Sequence, residues 1–144
     1  MLSWLAGSML RRSIKALNAG DAGPTLKAYA DDAVLVFPGD SRFGGTHRGK
    51  AEIEAFLRRF IECRLQLEPQ VIVAKGWPWN MTIWMQFTDA AADEQGNVVY
   101  ANRGVIIARA AWGKVKHQED FLDTRKVAAF DTLLNGEKEP AGTP

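Results

Sequence analysis

The stretch Gly113–Asp123 reads GKVKHQEDFLD, and the rest of the chain can be organised around it. A two-residue turn ending in Gly113 opens a strand over Val115–Leu122, which brings two carboxylates, Asp120 and Asp123, to its far end. β-structure disfavours aspartate, and burying one costs several kcal/mol unless it is paired, hydrogen-bonded or protonated. An acid at the end of an otherwise strand-like run therefore needs a reason, and its surroundings must supply one.

Those surroundings amount to 144 residues, enough for one domain with a single core of ordinary size. An apolar fraction of 47% and a charged fraction of 24% are those of a globular protein, and a net charge of +1 gives no reason to expect nucleic acid or an anionic membrane surface as partner. Cys63 is the only cysteine, which excludes an internal disulfide and a multi-thiolate metal site and fits a cytoplasmic protein. The apolar opening MLSWLAGSML has its arginines, Arg11 and Arg12, after the apolar run, the wrong polarity for a signal peptide. It reads as the first turns of a helix, and no run reaches membrane-spanning length.

Outward from the quoted stretch, the preceding run Val98–Ala110 is a strand, joined through the turn Asp93–Asn97 to an earlier one. In that earlier strand Trp79, Met81, Ile83, Met85 and Phe87 alternate with Asn80, Thr82, Trp84 and Gln86, and Asp89 closes its apolar face. Before it, Leu65, Leu67, Val71 and Val73 alternate across Pro69. The period changes to helical over about Lys50–Cys63, where Ile53, Phe56, Leu57, Phe60 and Ile61 form one stripe. Residues 38–49, with five Gly or Pro, read as a loop. Ahead of that loop come a short strand Ala33–Phe37 and a short helix in which Leu26, Tyr29 and Ala30 share a face, ended by Asp31-Asp32. A first helix carries Leu10, Ile14 and Leu17 and stops near Gly20. After the quoted stretch, Thr124 can N-cap a last helix with Val127, Phe130 and Leu134, and 135–144 reads as a disordered tail to a single domain over 1–134.

Helices on one side of an antiparallel sheet make an α+β fold. Strand Val98–Ala110 is apolar on both faces, with Val105 and Ile107 on one and Ile106 and Ala108 on the other, so the face away from the helices is expected to pair with a second copy in a homodimer.

This order, with LNAGD (17–21), YADDAVLVFPG (29–39), GKAEIEAFLRRF (49–60) and WGKVKHQEDFLDT (112–124), resembles the nuclear-transport-factor-2-like superfamily and within it the SnoaL-like branch. The resemblance covers roughly residues 3–134. It implies a cone: a curved mixed or antiparallel sheet wrapped around N-terminal helices, cystatin-like, with a C-terminal helix and a pocket at one end. Its members include polyketide cyclases, limonene-epoxide hydrolases and ketosteroid isomerases, so fold alone selects no chemistry.

The family patterns can be laid onto this chain residue by residue. The epoxide hydrolases carry a catalytic aspartate in a segment similar to 113–123, which implies Asp120 as the catalytic residue. They also need an Arg-x-Asp pair on the third strand, where this chain reads Gln86-Phe87-Thr88-Asp89 and has no arginine two residues before the aspartate. The isomerases place a general base where this chain has Phe37. What remains is Asp120, with Asn102, Asp89, Trp79, Phe37 and Tyr29 as candidate substrate-binding residues around a small, largely apolar molecule. Of the adjacent pair Asn102 and Arg103 only one can face the pocket, and the resemblance favours Asn102. No cofactor and no metal are expected, since neither His47 nor His117 has a plausible ligand set. Each candidate also has a plainer reading: Asp120 as a structural pair with arginine or backbone amides, Asp89 as a solvated acid near a turn, Asp123 as a helix starter, Cys63 as a small apolar residue, and Trp77, Trp79 and Trp84 as core.

Overall fold

The computed structural model of the chain describes residues 2–138, with side chains described over 4–136. Helices α1 (Leu2–Asn18) and α2 (Gly23–Ala28) lead into strand β1 (Tyr29–Phe37), the short strand β2 (Gly45–Arg48) and helix α3 (Gly49–Glu62). Four strands follow, β3 (Gln66–Trp77), β4 (Asn80–Ala92), β5 (Val98–Ala111) and β6 (Lys114–Leu122), and helix α4 (Thr124–Lys138) closes the described chain. The strands form one sheet in the order β2-β1-β6-β5-β4-β3. All neighbours are antiparallel except β1 and β6, which run parallel, so the sheet is mixed and the α+β architecture is the one expected.

Helix α1 lies against α2 and β3, α3 against β1, and α4 against β5. The core forms where the stripe Ile53, Phe56, Leu57 and Phe60 of α3 meets the inward residues of the sheet, among them Leu35, Met85 and Phe87. Gly20, at φ +93°, ends α1 in the left-handed region, where its N–H can donate back to the Leu17 carbonyl at 3.0 Å.

Several local expectations are corrected. Tyr29 and Ala30 belong to β1 and not to a helix: α2 stops at Ala28, and Tyr29 pairs with Val115 of β6. The acids Asp31 and Asp32 are tolerated because the β1–β6 register is interrupted between Tyr29 and Val34 and both side chains are exposed, facing Lys50 and Lys116. Part of the 38–49 loop is strand β2, paired with β1. In β3 the register shifts between Pro69, which has no N–H to give the ladder, and Val71. That extra residue moves Val71 and Val73 to the outer face, 51% and 43% exposed, and brings Ile72 inward. Helix α4 runs four residues past the expected boundary at 134, while 139–144 lie outside the described residues. It is Asp123, not Thr124, that caps α4, its Oδ1 accepting from the N–H of Arg125 at 2.9 Å and of Lys126 at 3.4 Å.

Candidate functional site

Inward-facing residues at the ends of β4, β5 and β6 build the site. Cross-strand pairing places Asp89 beside Asn102 and Asp120 beside Ile106, while Gln118 lies between Leu35 of β1 and Ala108 of β5. Period-two alternation puts Gln118 and Asp120 on the same face of β6, and Tyr100 and Asn102 on the same face of β5. A cavity of about 130 Å³ sits between this face and the helices. Its aromatic wall includes Phe37, Phe43 and Phe56, whose rings lie about 6 Å apart, and Phe130, stacked on Tyr100 at 4.7 Å. The polar groups that reach it include Asp89, Asp120, Tyr100, Gln118 and Tyr29; among the described residues no lysine, arginine or histidine lines it.

Asp120 is 6% exposed, and Gln118 Nε2 donates to its Oδ1 at 2.9 Å. Gln118 is itself held by Tyr29, whose hydroxyl donates to Oε1 at 2.5 Å. Desolvation raises the Asp120 pKa to about 7; the Gln118 hydrogen bond opposes the shift, and the nearby charges of Asp89 and Glu119 add to it. Asp89, 8% exposed, accepts from the Tyr100 hydroxyl at 3.3 Å, and burial raises its pKa to about 6 against the pull of that hydrogen bond. Both tyrosines are held neutral, first by burial and then by the neighbouring carboxylates. Asn102 stands behind Tyr100, donating to its hydroxyl at 3.1 Å and to the Asp123 carbonyl at 2.9 Å. Two carboxyls that change protonation near neutrality, in an apolar enclosure, are groups able to give or take a proton there.

Of the residues expected at the site, Asp120, Asp89, Phe37 and Tyr29 line the cavity, and Asn102 supports it from behind with Arg103 on the opposite, exposed face. Asp89 is not a solvated turn residue, because β4 continues to Ala92 and carries it inward. Trp79 does not belong to the site. It is 55% exposed, stacked on Trp77 at 5.6 Å and 6.1 Å from Trp112, where the β3–β4 and β5–β6 turns meet. Trp77 and Trp84 are also exposed, so the tryptophan group is not core. Gln118 and Tyr100 were missed, although each lies two residues from a chosen candidate on the same strand face. His47 is buried in a structural role, its Nε2 2.9 Å from the Phe43 carbonyl oxygen. Cys63, half-buried at the end of α3, has Arg42 as a basic neighbour that its local sequence does not reveal. Among the described residues no group of three or more His, Cys, Asp or Glu is placed to hold a metal ion, and no helix is long and apolar enough to cross a membrane.

The model of the SnoaL-like domain family matches residues 10–118. No curated protein matches the sequence. Among solved structures, an NTF2-like protein of unknown function from Burkholderia pseudomallei K96243 is 23% identical, covering 88% of this chain and 97% of its own, with a TM-score of 0.73. TerC co-crystallised with polyporic acid is 20% identical over 88% of this chain and 98% of its own, TM-score 0.72. A protein of unknown function with a cystatin-like fold from Xanthomonas campestris is 24% identical over 88% and 97%, TM-score 0.67.

Proposed function

The chain belongs to the SnoaL-like domain family, and from that premise we propose that it binds a small, largely apolar molecule in the cavity and moves a proton to or from it with Asp120. The observation that carries this reading is the convergence of the cavity's carboxyls, amide and phenols on one wall of a largely apolar enclosure, with Asp120 desolvated enough to titrate near neutral pH. TerC, a protein of similar fold, was crystallised with an organic ligand, which agrees with a ligand-holding role for the cavity. An engineered apolar cavity of about 150 Å³ admits benzene, so a volume of about 130 Å³ suits a molecule built on about one ring. Phe87 where an arginine would stand, and Phe37 where a base would stand, separate the site from the epoxide-hydrolase and ketosteroid-isomerase patterns and leave Asp120 as the acid–base group. Tyr29 and Gln118 are then positioning residues, since they act through Asp120.

The test is turnover of small apolar epoxides, lactones and enones by the wild type and by Asp120→Asn. General acid–base catalysis contributes about 10²- to 10⁴-fold, so kcat should fall by that factor while binding changes little. Unchanged turnover would remove Asp120 from the chemistry, leaving the cavity as a binding module.

A second part of the reading concerns the sheet's outer face, where Val71, Val73, Trp84, Val105, Ile107 and Phe121 form adjoining cross-strand rows, most of them exposed. We infer that a second copy covers it, because alternating Arg103, Arg109 and Glu119 on the same face offer opposite charges to a two-fold partner. Sedimentation should find a dimer, and Trp84→Asp in the middle of the rows should give a folded monomer. A wild-type monomer at tens of micromolar would overturn the inference. A cytoplasmic location belongs to the same reading and rests on the single cysteine.

A further inference from the structure

We propose that the cavity selects a cationic ligand: a compact apolar molecule carrying one amine, bound as its ammonium ion against Asp120 in a cavity that Asp89 also lines. The inference rests on the reading of the cavity as a small-molecule site and adds the charge of what enters it.

The first reason is the charge of the wall. Among the described residues the ionisable groups lining the cavity are two carboxyls and two phenols, and no cationic side chain lines it to balance a carboxylate. An isolated buried carboxylate is costly, and a ligand that brings its own positive charge removes that cost, whereas an anionic ligand would meet like charge in an apolar enclosure. The second reason is unfilled hydrogen-bonding capacity. Asp120 is more than nine-tenths buried and lines the cavity. Among the described residues Gln118 satisfies its Oδ1, and no hydrogen bond reaches Oδ2. A carboxylate accepts several hydrogen bonds and an ammonium group donates three, so the two capacities match. The third reason is aromatic. Tyr100 and Phe130 stack beside Asp89, and ring faces near a desolvated cation are attractive to it.

Every element around the carboxyls can be checked for a competing charge. From β1 comes Tyr29, from β5 Tyr100 and Asn102, and from β6 Gln118, with Glu119 pointing away on the outer face. Helices α1 and α2 contribute Ser13 and Thr25, and α3 and α4 contribute apolar side chains. Asp123 acts on Tyr100 from the start of α4. All the charged groups among these are acidic.

Calorimetric titration of the intact protein with benzylamine, benzyl alcohol and benzoate separates the possibilities, because the three share a ring and differ in charge. At pH 8 benzylamine should bind at least about tenfold more tightly than benzyl alcohol, and benzoate should show no binding. Salt formation needs an ionised carboxyl, so the amine's advantage should shrink as pH falls through the titration of Asp120 and Asp89, near 7 and 6, by up to about tenfold per pH unit for one linked proton. Asp120→Asn should bring benzylamine down to the affinity of the alcohol. Equal binding of amine and alcohol in the wild type at pH 8 would overturn the charge preference while leaving the cavity as a small-molecule site. Binding of none of the three would overturn both.

Discussion

Replacing Asp120 by asparagine should make the unliganded protein more stable at pH 8 than the wild type, and should flatten the dependence of stability on pH. The sign follows from the direction of the shift. A carboxyl whose folded pKa is raised holds its proton in the folded state over a range where the unfolded chain has lost it. Stability is then greatest below the unfolded value and falls as pH rises to the folded one. For Asp120 the window runs from 3.8 to about 7, and at about 1.4 kcal/mol per pH unit the loss amounts to about 4 kcal/mol. Asp89 gives a smaller loss over 3.8 to about 6. Asparagine keeps an oxygen for Gln118 Nε2 and carries no charge, so only the Asp89 part of the decline should remain. Urea unfolding at pH 4, 6 and 8 measures it. Parallel profiles for the two proteins would mean that Asp120 is not desolvated in the folded state.

Gly104→Val should destabilise the sheet strongly. Gly104 lies on the inward face of β5 between Phe87 of β4 and Leu122 of β6. A Cβ there would stand 2.3 Å from the Phe121 carbonyl oxygen and 2.9 Å from both Leu122 Cβ and Phe87 Cζ. The first of these is backbone in the neighbouring strand, so it cannot turn aside as a long side chain would. Strand β5 must then move away from β6, opening the ladder that holds Ile106 and Asp120 in register, for a cost of about 3 kcal/mol or more. Ala101→Val, exposed on the same strand, is the control and should change stability by less than about 0.5 kcal/mol. If Gly104→Val matches that control in thermal unfolding, the close approach of β5 and β6 is not as described.

What the site owes to each level of structure can be followed in these residues. Alternation along β6 already aligned Gln118 with Asp120, and alternation along β5 aligned Tyr100 with Asn102, because a strand turns successive side chains to opposite faces whatever lies around it. The stripe of α3 and the glycine stop of α1 were legible for the same local reason. The family resemblance supplied Asp120 as the residue to watch, and the match over residues 10–118 supports its source.

Tertiary structure alone decided which of two faces became the interior. Beyond Pro69 one extra residue exchanged the faces of β3 and sent Val71 and Val73 outward, a change that alternation in the sequence cannot signal. Pairing with Val115 drew Tyr29 out of a helical pattern into a strand and so brought its hydroxyl to Gln118. Trp79 and Trp112 sit in adjoining turns outside the core, where a residue has no sheet face to be buried on, and Trp77 at the end of β3 stacks on Trp79 there. Asp89 became a buried acid because β4 continued past it beneath Tyr100. Within each unbroken strand or helix the sequence by itself determined which side chains share a face; register, bulges and the neighbours across the sheet determined where those faces switch and which of them meet, and with them the charge and shape of the cavity.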